Sequence, residues 1–253
     1  MNRILFTLFL SLSIVVKLFA QTAVAPSAGD GTSGNPYQIA TWENLYWITQ
    51  DNSRLSKHYI QTADIDLADA NPAISTWDGG AGWTPIGDVN NSQLEFTGVY
   101  DGNGKTVSGL YINRPDEYWQ GLFGLTLKST GYGEIKNLTV TNADVSGYES
   151  IGILAGQAEG DVTNCNSSGT VNGTNMVGGL IGSSGMIFGV TITESRSSAT
   201  VSGVTDIGGL IRNAGDYASN TINRCFSTGS VTGTTEYVGG LIGSARGTVT
   251  NCY

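Results

Sequence analysis

The chain has a single histidine, His58, and that limits the chemistry open to it. A zinc protease needs a His-Glu-x-x-His pair or an equivalent cluster of neutral imidazoles and carboxylates, and one histidine cannot build it. Serine-histidine-aspartate catalysis would have to use the same residue, and no Gly-x-Ser-x-Gly elbow accompanies it. His58 therefore reads as a strand or surface residue. The remaining reactive groups are carboxylates and thiols. Asp64-x-Asp66-x-x-Asp69 could supply oxygen ligands to a weakly held Ca²⁺, although Ile65 and Leu67 alternate with the acids as in a half-buried strand. Asp101-Gly102-Asn103-Gly104 opens like a calcium loop, but Lys105 takes the next ligand position and Ile112 the twelfth, so it reads as a sharp chain reversal. Asp144, Asp161, Asp206 and Asp216 occupy different places along the chain's repeats and do not pair as a general acid and base must.

The three cysteines share one repeat position, filled by Ser195 in the intervening unit. Cys225 and Cys252 fall about one unit apart, a separation that permits a disulfide, whereas Cys165 and Cys225 lie two units apart, which forbids one. Stacked small core thiols are the simpler reading.

What must position these residues is a repeat. Val-Gly-Gly-Leu-Ile-Gly occurs at 177–182 and 238–243, with weaker copies at 120–124, 152–156 and 207–212. The shared leucines are Leu122, Leu154, Leu180, Leu210 and Leu241, at steps of 32, 26, 30 and 31. The glycines in phase with them are Gly121, Gly124, Gly156, Gly178, Gly179, Gly182, Gly208, Gly209, Gly239, Gly240 and Gly243. A period of this length marks a solenoid, in which each unit buries its apolar face against its neighbours. A second column, Ile135, Val162, Ile192, Ile222 and Val249, begins short β-branched strands closed by turn residues. No window after residue 116 has helical periodicity, so each unit is expected to be one coil of a parallel β-helix with both columns inside. Spacings of three within a motif call for corners, either at Gly-Gly or at the Asn of Asn164-Cys165, since both residue types accept left-handed backbone.

Ahead of the repeats, Thr41 can cap a short helix over about 41–50, and Trp42, Trp47, Trp77, Trp83 and Trp119 gather before residue 120. Such aromatics could form a sugar-stacking platform, but a solenoid also needs a cap over its open end, and core and cap are the preferred reading. Residues 21–35 are small and polar and read as a linker. Residues 36–115 form the cap and first coils, and 116–253 the repeats, the last of which stops short at Tyr253. The first twenty residues carry Arg3, an apolar run and Leu18-Phe19-Ala20, which together form a secretory signal cleaved after Ala20. Without them the formal charge moves from −9 to −11, since Arg3 and Lys17 are lost. That sign disfavours nucleic acid and anionic membranes as partners. No later segment is long and apolar enough to span a bilayer.

Gly-Gly-Leu-Ile-Gly followed by a Val-Thr-Asn-Cys-type strand resembles the GLUG repeat, named for its Gly-Leu-any-Gly core. Gln61 to Leu67, Trp83 to Gly87, Phe96 to Gly104 and Tyr118 to Gly124 extend the resemblance over about residues 30–253. Ile153 and Ala155 in the second copy, and Arg212 in the fourth, depart from the pattern. The resemblance implies a bacterial exported or cell-surface protein with a β-helical stalk, adhesin-like or forming the non-catalytic repeat segment of an immunoglobulin A protease. The reading is thus an all-β, right-handed parallel β-helix of 26–32-residue coils, non-enzymatic, without cofactor, and structural or adhesive. Its partners would be host or matrix glycans or proteins. The alternatives are a carbohydrate-active β-helix enzyme, and the N-terminal non-catalytic part of a larger secreted protease.

Overall fold

A computed structural model describes residues 21–91, 93–128, 133–185, 189–214 and 220–253. The export signal assigned to residues 1–20, and Asp216, lie outside the described residues. The chain is all-β, a solenoid of parallel strands with a short helix near its start. Every named strand pair is parallel, because each strand bonds to the equivalent strand one coil away. Three sheets run along the solenoid. The first has eight strands, from Tyr37–Ile39 through Val162–Thr163 to Thr248–Thr250. The second has five strands, from Phe123–Leu127 to Ile242–Ala245. The third has twelve, centred on the long strand Thr139–Ile151.

The register reproduces the sequence period. In the first sheet Ile135, Val162, Ile192, Ile222 and Val249 are successive partners, 27, 30, 30 and 27 residues apart. In the second, Phe123, Ala155, Ile181, Ile211 and Ile242 pair at 32, 26, 30 and 31, the same steps the leucines have. Leu122, Leu154, Leu180 and Leu210 are fully buried beside them, and Leu241 is half-buried. Leu154, Leu180 and Leu210 donate their N–H groups to the carbonyls of Leu180, Leu210 and Leu241, so the leucine column is also a hydrogen-bonded ladder.

Each coil turns at two left-handed corners. One lies at Asn137, Asn164, Glu194, Arg224 and Asn251, with φ between 52° and 55°. Its asparagines bond to one another along the axis, Asn164 Nδ2 donating to Asn137 Oδ1 at 2.9 Å. In the two coils that lack asparagine, an Arg224–Glu194 ion pair takes over. The second corner is not at Gly-Gly. It falls at Trp119, Ser150, Met176, Asp206 and Tyr237, with φ between 54° and 62°. The glycines meet a different demand, which is close approach of backbone. A Cβ on Gly178, Gly208 or Gly239 would lie 1.9–2.0 Å from the carbonyl oxygen of Ile181, Ile211 or Ile242. On Gly179 or Gly209 it would meet the carbonyl oxygen of the next coil's glycine at 2.2 and 2.0 Å, whereas on Gly240 it would meet nothing within 4 Å.

Two local expectations change. Asp101–Gly104 is a sharp turn, with Asn103 and Gly104 left-handed and Lys105 N–H bonded to Gly102 O at 2.8 Å. It does not reverse the chain, because Val99–Asp101 and Thr106–Ser108 pair with other coils in different sheets. A local turn signal reports the bend but not the partner. Residues 21–35 are no free linker either. Asn44 Nδ2 donates to Val24 O at 3.0 Å, Val24 N–H bonds to Glu43 O, and Thr32 caps Asp30 through its N–H and hydroxyl. The helix is Trp42–Ile48, with Thr41 accepting from Asn44 N–H at 3.3 Å. Strand Tyr111–Gln120 crosses position 115, so cap and repeats lie over one continuous core.

The glycine columns generate a paired prediction. Gly209→Ala should lower stability by about 1–3 kcal/mol, the usual cost of overpacking against a backbone that cannot retreat. Gly240→Ala should stay within about 0.5 kcal/mol of the parent. Denaturation midpoints of the two variants, measured side by side, check this.

Candidate functional site

A groove of about 330 Å³ lies on the third sheet and runs across coils. Beside it, where Asn166–Asn172 pairs with Thr139–Ile151, the register slips between Ser167 and Gly169. A column of small residues passes through the slip, Ala143, Gly169, Ala199 and Gly229. A Cβ on Gly169 would meet Ala143 O at 2.2 Å, and one on Gly229 would meet Ala199 O at 1.8 Å. Two banks of side chains line the groove. Asn166, Arg196 and Phe226 form one bank, and Ser168, Ser198 and Thr228 the other.

The first bank begins two residues after the asparagine corner, so the corner aims it outward in every coil. Thr139, Asn166, Arg196, Phe226 and Tyr253 hold equivalent places and follow one another along the axis. Asn166 Nδ2 donates to Thr139 Oγ1 at 3.1 Å. The Arg196 guanidinium lies 5.9 Å from the Phe226 ring centre, and Phe226 stacks on Tyr253 at 5.2 Å with 4° between planes. Arg196 is exposed and makes no ion pair among the described residues. Among the described residues no carboxylate lines the groove.

The acids singled out in the sequence serve the backbone. Asp64 Oδ1 accepts from Thr106 N–H at 2.8 Å and Asp66 Oδ1 from Ala68 N–H at 2.9 Å. These two and Asp69 line one shallow cleft beside Trp42. Among the described residues no group of three or more His, Cys, Asp or Glu is disposed to hold a metal ion. Asp101 Oδ1 accepts from Asn103 N–H and Asn137 Nδ2, which closes its turn. Asp144 is exposed, Asp161 pairs with Lys128 at 2.6 Å, and Asp206 pairs with Arg212 at 2.9 Å. His58 sits half-buried in strand His58–Gln61. The tryptophans divide. Trp77 and Trp83 are buried, with Trp42 and Tyr46 packed on Trp77 at 5.5 and 5.0 Å. Trp47 packs on Tyr37 and lies under Arg54, whose guanidinium is 3.8 Å from the ring centre. Trp119 stands apart at a left-handed corner, donating to Gln157 Oε1 at 2.8 Å. The other four tryptophans pack among the aromatic rings of the first coils, whereas Trp119 meets the exposed Tyr118, which meets the exposed Tyr148.

The cysteines are free and stacked. Cys165 N–H donates to Ser195 Oγ at 3.1 Å, and Cys225 N–H donates to Cys252 Sγ at 3.3 Å. This position thus bridges coils just beyond the corner, whichever small polar side chain fills it. Burial pushes the Cys165 thiol up to about 12 and the Cys225 thiol up to about 11.

Sequence inspection missed the groove. Its bank has no constant residue type, and only stacking the chain in the 27- and 30-residue register brings Thr139, Asn166, Arg196, Phe226 and Tyr253 together. It missed as well a run of buried polar residues on the second sheet. Gln157 Nε2 donates to the fully buried Glu159 at 2.9 Å.

No family profile matches the chain. Halomucin of Haloquadratum walsbyi is 38% identical over 157 residues, 62% of this chain. A protein of Evansella cellulosilytica named as a Gly-rich membrane protein is 33% identical over 195 residues, again 62% of this chain. The chain spans 2% and 21% of the length of these two relatives. A solved structure from Bacteroides ovatus, described as an immunoglobulin A1 protease, superposes with a TM-score of 0.53 at 17% identity. The match covers 89% of this chain and 80% of that one, and it is a likeness of fold. Among the described residues no helix is long and apolar enough to cross a membrane.

The thiols give a prediction with a defined sign. The thiolate is the reactive form, so Cys165 and Cys225 should resist iodoacetamide in the folded protein up to about pH 10, while half-buried Cys252 reacts. All three should react once the chain is denatured. The fold holds these thiol protons beyond the ordinary value of 9.0. Unfolding therefore releases protons above that pH, and stability should fall as pH rises from about 9 towards the folded values. Mass-resolved alkylation and thermal melts across pH check both.

Proposed function

We propose that the chain is an exported, non-enzymatic repeat module of the GLUG type, structural or adhesive at the cell surface. The observation that carries this reading is how the polar side chains are spent. Along the solenoid they bond to their own equivalents one coil away: Asn164 to Asn137, Thr193 to Thr163 at 3.3 Å, Thr250 to Asn223 at 3.3 Å, Arg224 to Glu194. Such ladders stiffen a rod and present a repeated face, which is what an extended binding or spacer surface needs. A hydrolytic site needs a different arrangement, carboxylates facing each other across a substrate. Asp144, Asp161 and Asp206 are spread over separate places and partners.

The relatives support a place at the cell exterior, one being named halomucin and another named for a membrane. Residues 1–20 supply the route on this reading, as a secretory signal cleaved after Ala20, and the mature charge of −11 keeps the exported rod soluble.

The test is expression of the full chain in a secreting host. The mature protein should begin at Gln21 and appear outside the cytoplasm. It should release no fragments from immunoglobulin A and no reducing ends or unsaturated sugars from a panel of polysaccharides. An intracellular chain that retains Met1 would contradict the export reading. Turnover of any of these substrates, abolished by substituting a carboxylate, would contradict the non-enzymatic one.

A further inference from the structure

We infer that the groove on the third sheet is a binding site for an acidic polysaccharide, with Arg196 pairing the sugar carboxylate and Phe226 supporting the ring beside it. The inference rests on the reading of the chain as a non-catalytic surface module and names what that surface holds.

Charge is the first argument. The chain carries 21 acidic residues against 12 basic ones, and Arg196 is exposed in the groove with no carboxylate lining it and no ion pair among the described residues. One coil further on, the corner residue Arg224 is paired with Glu194. A guanidinium presents a planar fork of donors that a carboxylate meets bidentately. In an otherwise acidic protein, an anion that settles at this groove is drawn there by this local cation.

The neighbours of Arg196 match a sugar as well. Phe226 and Tyr253 continue its column, giving apolar surface next to the charge. The opposite bank holds the hydroxyls of Ser168, Ser198 and Thr228, which can both donate and accept. A uronic acid unit has the matching set: one carboxylate, an apolar C–H face and several hydroxyls. A nucleic acid would demand clustered Lys and Arg, and one arginine does not supply that. An apolar peptide would leave the hydroxyl bank unmatched.

Periodicity is the third. The groove crosses coils, so its donors and acceptors recur at the inter-strand spacing of about 4.8 Å. A site built this way suits an extended polymer better than a single sugar.

The experiment uses the full chain and its variants Arg196→Gln and Ser198→Asp. Arg224→Gln serves as control, since Arg224 is on the neighbouring coil and does not line the groove. The probes are polygalacturonate and alginate, with dextran as the neutral comparison, read by affinity electrophoresis and calorimetry at low salt. The parent and Arg224→Gln should be retained by the acidic polymers and not by dextran, more weakly as salt rises. Arg196→Gln should lose about tenfold or more in affinity, the value of one charge-assisted contact. Ser198→Asp should lose at least as much through repulsion. Both should melt within a few degrees of the parent, since both side chains are exposed. Failure of the parent to bind either acidic polymer overturns the inference, as does undiminished binding by Arg196→Gln. Shortening of the polymers would instead overturn the non-catalytic reading, so the two failures are distinguishable.

Discussion

Parallel backbone pairing between successive coils governs this molecule, because it seats each residue on its own equivalent. Once Ile181 bonds beside Ile211 and Ile192 beside Ile222, every other position in the coil is fixed to its counterpart at the same step. Like then stacks on like. Leucines form a ladder inside, asparagines form one at a corner, and small side chains at 165, 195, 225 and 252 bridge coils beyond it. The pairing also sets the steric limit. Walls that turn this tightly bring backbone within 2 Å of where a Cβ would stand at Gly178 and Gly208. The glycines of the repeated motif therefore meet a clearance requirement, and its leucines line the core.

That distinction explains what the sequence could and could not convey. The coil length was legible because the leucine steps of 32, 26, 30 and 31 are the pairing steps of the second sheet. The asparagine corner was legible because asparagine tolerates left-handed backbone, and Asn137, Asn164 and Asn251 adopt it. The second corner was hidden. It falls on Ser150, Met176, Asp206 and Tyr237, residues with no shared tendency towards positive φ, held there by the pairing on either side. Gly-Gly nearby offered a false explanation, since flexibility and absence of a Cβ look the same in a sequence. The turn at Asp101–Gly104 misled in a related way, for its chemistry fixes a bend while distant strands decide what pairs.

The groove illustrates the same limit at the level of function. Its banks change identity from coil to coil. Thr139, Asn166, Arg196, Phe226 and Tyr253 share only a register position. In a solenoid whose interior is nearly invariant, such variable outward columns are where recognition can be written without disturbing the stack. The acids that first suggested chemistry are spent otherwise, Asp64 and Asp66 on backbone N–H groups and Asp161 on Lys128.

Coil-to-coil registration is the constraint on which the whole fold depends, and hydrogen exchange reads it directly. The N–H groups of Leu154, Leu180 and Leu210 bond to the carbonyls of the next coil's leucine. Site-resolved amide exchange of the native chain should show these three amides protected together, exchanging orders of magnitude more slowly than an unstructured peptide of the same sequence. Exchange at unstructured rates at any of the three, with the others protected, would contradict the continuous ladder from which the rest of the structure is derived.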